Sequence, residues 1–152
     1  MLKYVNTGIV FQEIPDEVTL AINISGCPCR CPGCHSRYLW EDIGKPLDAA
    51  AIDHCISTAA GDITCVAFMG GDADPEEVAK WAQYVRPLKT AWYSGRMHMP
   101  QDEKAFDYVK LGPYIESLGG LKSEKTNQRF YKRKDDTWID ITSVFWKKNL
   151  AN

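Results

Sequence analysis

The chain has no apolar run approaching the roughly 20 residues a helix needs to cross a bilayer. Its first residues, Met1-Leu2-Lys3-Tyr4-Val5-Asn6, lack the long apolar stretch of a secretory leader. It also lacks an excess of either charge. Its 18 basic and 20 acidic side chains leave a formal net charge of −2, so nothing general draws it to nucleic acid or an anionic membrane. No internal repeat and no low-complexity tract interrupts it. These absences lead us to expect a cytoplasmic protein that contacts no membrane and no nucleic acid directly.

What is present is an ordinary globular composition, with one unusual concentration. At 152 residues, 45% of them hydrophobic, the chain is large enough to bury a core and is expected to form a single domain over residues 1–152. Of its six cysteines, Cys27, Cys29, Cys31 and Cys34 fall within eight positions, in Gly26-Cys27-Pro28-Cys29-Arg30-Cys31-Pro32-Gly33-Cys34-His35. In an intracellular chain such a cluster points to metal rather than to disulfides. Cys27, Cys31 and Cys34 have the spacing C-x3-C-x2-C. Three thiolates on a four-iron cluster leave one iron open to a small molecule, which suggests an enzyme.

Hydrophobic periodicity places this loop. Val18, Leu20, Ile22 and Ile24 alternate as a strand does, and the cysteines begin where it ends. Asp48 can cap a helix with Ile52, Cys55, Ile56 and Ala59 on one stripe, closed near Gly61. Residues 63–69 read as a strand buried on both faces and end in Gly70-Gly71-Asp72. Asp74, Pro75 and Glu77 start a second helix, with Val78, Trp81, Ala82 and Val85 facing inward. Residues 89–93 form a third strand running into Ser94-Gly95, and residues 106–111 a fourth before Gly112-Pro113. Residues 129–132 and 137–141 flank a polar turn and read as a hairpin appended to the core. Residues 9–12 are a further candidate strand.

Strands alternating with helices imply a parallel sheet, and a full eight-unit barrel takes about 250 residues. A partial barrel or an open sheet therefore fits this length. In either one, ligands bind at the C-terminal ends of the strands. The cysteine loop, Gly70-Gly71-Asp72 and Ser94-Gly95 all fall at such ends, so they are expected to share one site.

With these motifs the chain resembles the radical S-adenosylmethionine superfamily. Gly26-Cys27, Cys31-Pro32-Gly33-Cys34, Trp40 and Gly70-Gly71-Asp72 are most similar to the activating proteins of anaerobic (class III) ribonucleoside-triphosphate reductases. Gly112-Pro113-Tyr114 and Thr126-Asn127-Gln128-Arg129 resemble that family's later motifs. The resemblance implies an α/β fold, a partial (incomplete) parallel β/α barrel with a core over about residues 18–115 and a C-terminal β-hairpin appendage over about residues 119–150. It implies that Cys27, Cys31 and Cys34 hold a 4Fe-4S cluster, and that Gly33, Gly70, Gly71, Asp72 and Ser94 contact S-adenosylmethionine, with Asp72 accepting from its amine. It further implies reductive cleavage to a 5′-deoxyadenosyl radical, which takes a hydrogen atom from a glycine of the reductase large subunit. The electron comes from a donor such as a flavodoxin.

Plainer readings compete. A zinc-binding interaction module would use all four clustered cysteines, although zinc knuckles usually split their ligands into two separated pairs. An activase of another glycyl-radical enzyme would share the same cluster. Cys29 is read as a spare thiol or a reserve ligand, since as a fourth ligand it would close the open iron, and Cys55 and Cys65 are read as small core residues. Asp72 and Ser94 also suit ordinary turns. His35 is either a cluster neighbour or a loop residue, and nothing is assigned to Lys110. The basic stretch from Lys122 to Lys134 is expected to help dock the reductase.

Overall fold

The computed structural model describes residues 1–29, 37–59 and 61–146. These build one eight-stranded sheet: β1 (Lys3–Val10), β2 (Thr19–Ile24), β3 (Lys45–Pro46), β4 (Cys65–Met69), β5 (Lys89–Tyr93), β6 (Tyr108–Leu111), β7 (Arg129–Lys134) and β8 (Thr137–Asp140). The spatial order is β3-β1-β2-β4-β5-β6-β7-β8. Pairing is parallel from β2 through β4 and β5 to β6, and antiparallel at both flanks. Among the described residues no helix is long and apolar enough to cross a membrane.

The expected partial parallel β/α barrel is therefore corrected to a mixed sheet with few helices. Two ten-residue helices, α1 (Ala49–Thr58) and α2 (Pro75–Tyr84), serve the parallel strands. Between β5 and β6 the chain makes only the single 3-10 turn Glu103–Ala105. The segment before it, Arg96-Met97-His98-Met99-Pro100, carries no apolar stripe at helical spacing and contains a proline. The hairpin, too, is no appendage. β7 pairs along β6, with Lys110 opposite Phe130, and extends the core sheet past an edge that would otherwise lie open. Its first strand runs two residues closer to the turn than expected, because Asp135 (φ 51°) and Asp136 (φ 65°) both adopt the left-handed conformation of a two-residue hairpin turn, while the second begins at Thr137 as expected. At the other flank the candidate strand at residues 9–12 is a longer one, β1. Its exposed Asn6-Thr7-Gly8 stretch breaks the alternation that would have revealed it.

The local signals hold where they are strongest. Asp48 caps α1 by accepting from Ala51 N at 2.8 Å, and Asp74 caps α2 by accepting from Glu77 N at 3.2 Å. Glu77 does not turn back to the cap. Its Oε2 accepts from Leu2 N (2.8 Å) and Trp81 Nε1 (3.4 Å), which fastens the N-terminus to α2.

Alternation sorts the strand residues onto two faces. Leu20, Ile22, Ile24, Val66, Phe68, Trp92 and Val109 form the larger core with Ile52 of α1 and Val78, Trp81 and Ala82 of α2. Burial of each large side chain is worth about 1.5–3 kcal/mol. The opposite face has Cys65, Ala67, Ala91, Tyr108 and Phe130 under Ile14, from an irregular segment, and Phe145, from a helical stretch at residues 144–146, so neither α1 nor α2 covers it.

At the N-terminal ends of the parallel strands, buried Glu17 accepts from Tyr108 Oη (2.7 Å), Thr64 Oγ1 (2.7 Å) and Lys89 Nζ (3.0 Å). Burial alone would raise its carboxyl, but these three donors hold it below the usual range.

Candidate functional site

At the C-terminal ends of the parallel strands, Asn23, Met69, Tyr93 and Lys110 stand in register across β2, β4, β5 and β6. Together they line one wall of a cavity of about 570 Å³. Two residues earlier on the same face, Ala21, Ala67 and Ala91 are also in register. Their small side chains leave room for Ile14 and Phe145 to pack beneath the cavity.

The cysteine loop forms another wall, and its backbone is pinned. Ser25 N donates to Lys3 O (3.0 Å), Gly26 N to Glu41 O (3.0 Å) and Cys27 N to Leu39 O (2.8 Å). Gly26, at φ 71°, makes the bend that lets the last two bonds form together. Cys27 and Cys29 are half-buried, and both line the cavity beside Leu39 and Trp40. Cys31, Gly33, Cys34 and His35 lie outside the described residues. A thiol on a fastened backbone, at the wall of a largely apolar cavity, is the donor chemistry an iron–sulfur cluster requires.

Of the glycine motif after β4, Gly70 and Asp72 line the same cavity and Gly71 does not, and the geometry of the pair answers to packing. Gly70 (φ 106°) donates its amide to Tyr93 O at 3.1 Å and accepts from Trp92 Nε1 at 2.7 Å. Gly71 (φ 94°) lies against α2, where an added Cβ would stand 2.6 Å from Val78 Cγ2. Asp72, only 1% exposed, accepts from Ser94 Oγ at 2.5 Å and from Gly95 N at 2.9 Å. Arg96 donates to Asp72 O at 3.0 Å, with its Nε 4.0 Å from Oδ1. Ser94 and Asp72 thus meet, as their shared strand-end position implied, and they hold each other.

Sequence reasoning passed over Lys110 and Tyr93. Lys110 is 9% exposed and donates from Nζ to Ser94 O (2.9 Å) and Gly112 O (3.0 Å), 5.7 Å from the Tyr93 ring centroid. The available signal was a lysine inside the apolar run Tyr-Val-Lys-Leu, on the inward register. Burial, reinforced by Glu13, raises the Tyr93 hydroxyl far above its ordinary range, so it stays protonated. The two late motifs also meet: Asn127 Nδ2 donates to Pro113 O at 3.1 Å and Gln128 Nε2 to Gly112 O at 3.4 Å, at the cavity's edge. In the basic stretch Phe130 is fully buried, and Arg133 bonds Phe106 O (2.8 Å) and pairs with Asp107 (3.7 Å) and Asp136 (3.2 Å). Cys55 and Cys65 are buried core residues. Burial, followed by the nearby Glu17 charge, pushes the Cys65 thiol up to about 12.

Residues 17–98 match the model of a family described as the 4Fe-4S single cluster domain. The chain belongs to this family. No curated protein and no solved structure matches the chain. The 4Fe-4S single cluster domain takes in β2, the whole cysteine loop, both helices, Gly70-Gly71-Asp72 and Ser94. Lys110, Gly112 and Gln128, which complete the cavity, lie beyond the matched residues.

Proposed function

We propose that this 4Fe-4S domain is a radical S-adenosylmethionine activating enzyme that generates a glycyl radical on an anaerobic ribonucleoside-triphosphate reductase. The observation that carries the reading is the cavity itself. The cysteine loop, Gly70 and Asp72 of the glycine motif, and a buried lysine converge on one cavity at the ends of parallel strands, of a size suited to a small molecule. Cys27, Cys31 and Cys34 hold the cluster. When bound, a cluster with one open iron supplies the electron that splits S-adenosylmethionine into methionine and a 5′-deoxyadenosyl radical.

The chain's own residues arrange the rest. Ile24, Leu39, Met69 and Phe145 line the cavity with apolar surface that excludes water from a reactive radical. Lys110 brings a fixed positive charge to the wall, favourable to the carboxylate of an amino-acid ligand. Tyr93, kept protonated, adds a neutral aromatic surface.

The test is anaerobic. Protein reconstituted with iron and sulfide, then reduced, is mixed with S-adenosylmethionine and the reductase, and the mixture is assayed for 5′-deoxyadenosine and an organic radical doublet by electron paramagnetic resonance. Both products are expected, and alanine at Cys27, Cys31 or Cys34 is expected to abolish them together with the brown absorbance. An intact cluster that releases no nucleoside would refute the activase reading, and a colourless zinc-loaded chain would refute the cluster as well.

A further inference from the structure

We propose that Cys29 is a positioning residue, a latch that ties the cysteine loop to the ends of β4 and β5 through Asp72, and not a fourth ligand to the cluster. The inference rests on the cluster-binding loop and is independent of the S-adenosylmethionine chemistry.

Two observations carry it. The Cys29 thiol donates to Asp72 Oδ2 across 3.7 Å, the range of a sulfur hydrogen bond. The same carboxylate accepts from Ser94 Oγ at 2.5 Å and Gly95 N at 2.9 Å, so one buried group joins the loop, the end of β4 and the end of β5. A buried carboxylate needs such donors. Independently, Gly95 has no side chain where the sulfur sits. A Cβ there would stand 2.6 Å from Cys29 Sγ and 3.2 Å from Cys29 Cβ. Gly95 is not among the positive-φ glycines, so no backbone conformation demands glycine at this position. The space is kept for the thiol.

If Cys29 turned to iron instead, that space would empty and Asp72 would lose a donor. Held as a latch, the sulfur fixes one point of the loop between Cys27 and Cys31. The backbone that carries Cys27 to the cavity wall is then tied to the sheet as well as to Leu39 and Glu41.

The experiment uses the full chain, reconstituted anaerobically, with release of iron to a colorimetric chelator as the readout and no S-adenosylmethionine present. Cys29→Ala is expected to take up the parent's full iron complement yet release it about five- to tenfold faster, the effect of losing one hydrogen bond from a weak thiol donor. Cys29→Ser, which restores a donor, is expected to return the rate to within about twofold of the parent. Gly95→Ala is expected to mimic Cys29→Ala by evicting the sulfur. The double variant Cys29→Ala/Gly95→Ala is expected to be no faster than either single one, because the new methyl enters the vacated space.

Iron-poor protein from both Cys29 variants would make Cys29 a ligand and overturn the proposal. Parental release rates in Cys29→Ala, or additive rates in the double variant, would overturn it too. A parent chain that took up no iron would remove the cluster, and the latch with it. The expected pattern of release rates, in a chain that cleaves no S-adenosylmethionine when it is supplied separately, would leave the latch standing and count only against the activase.

Discussion

Gly71→Ala is expected to destabilise the fold by about 2–5 kcal/mol, and the structure supplies the working. Gly71 sits at φ 94°, where an L side chain crowds its own backbone at a cost of about 1–2 kcal/mol. The new Cβ would also stand 2.6 Å from Val78 Cγ2, 3.4 Å from Ile24 Cδ1 and 3.5 Å from Leu2 Cδ1. Val78 and Ile24 are fully buried, so none of these neighbours can swing into solvent, and overpacking of this kind costs about 1–3 kcal/mol. For a domain of this size each kcal/mol lowers the melting temperature by about 2–4 °C, so a fall of roughly 5–15 °C is expected by circular dichroism. Urea denaturation of the double variant Gly71→Ala/Val78→Ala separates the two contributions. Removing the Val78 methyls relieves the contact but not the backbone strain, so a favourable coupling of about 1–2 kcal/mol is expected. A Gly71→Ala protein melting within about 1 °C of the parent would refute the packing argument. The glycine would then be free to serve the ligand alone.

Glu17→Gln is expected to cost about 2–3 kcal/mol at neutral pH, because three donors lose a charged acceptor. Since the folded carboxyl is held low, its stabilisation is fully present above the unfolded pKa of about 4.3 and is lost as pH falls through the folded value. Denaturation curves from pH 3 to 7 should show this loss in the parent and not in Glu17→Gln, and parallel curves would refute the assignment (about one carboxyl's linkage separates the two). Cys65, with its thiol near 12, is expected to resist alkylation at pH 8 until the chain unfolds, since only about one thiol in 10⁴ is ionised there. Labelling of native protein, located by peptide mass spectrometry, would contradict its burial. Trp92→Phe strips Gly70 O of its indole donor and is expected to cost about 1–3 kcal/mol in urea denaturation. An unchanged midpoint would show that the carbonyl finds another partner.

Much of the fold was legible locally. Strand β5 runs from Lys89 to Tyr93 as the apolar pattern indicates, Asp48 and Asp74 cap the two helices, and the hairpin of β7 and β8 lies where its turn residues place it. Each of these depends on neighbours within a few positions, where periodicity and capping act. The expected convergence of Gly70-Gly71-Asp72 and Ser94-Gly95 on the cysteine loop was legible too. It follows from parallel strands ending on one side, and it needs no knowledge of how the sheet closes.

The barrel failed for a different reason. Closure depends on what joins the edges, and the antiparallel partners β1 and β7 announce themselves weakly in one dimension, through Asn6-Thr7-Gly8 in one and alternating Lys and Arg in the other. The use of Asp72 was equally out of reach. Its partners Ser94 and Gly95 stand 22 and 23 residues away and Cys29 stands 43 away, so nothing in the local pattern distinguishes a carboxylate facing a ligand from one tying three segments together. The residues alone therefore settled the chemistry on offer, a cysteine loop of metal ligands after a strand, because donor type and spacing are properties of the chain. Folding in three dimensions settled which groups keep their hydrogen-bonding capacity for a ligand and which spend it inside, because burial and long-range pairing arise only when distant segments pack.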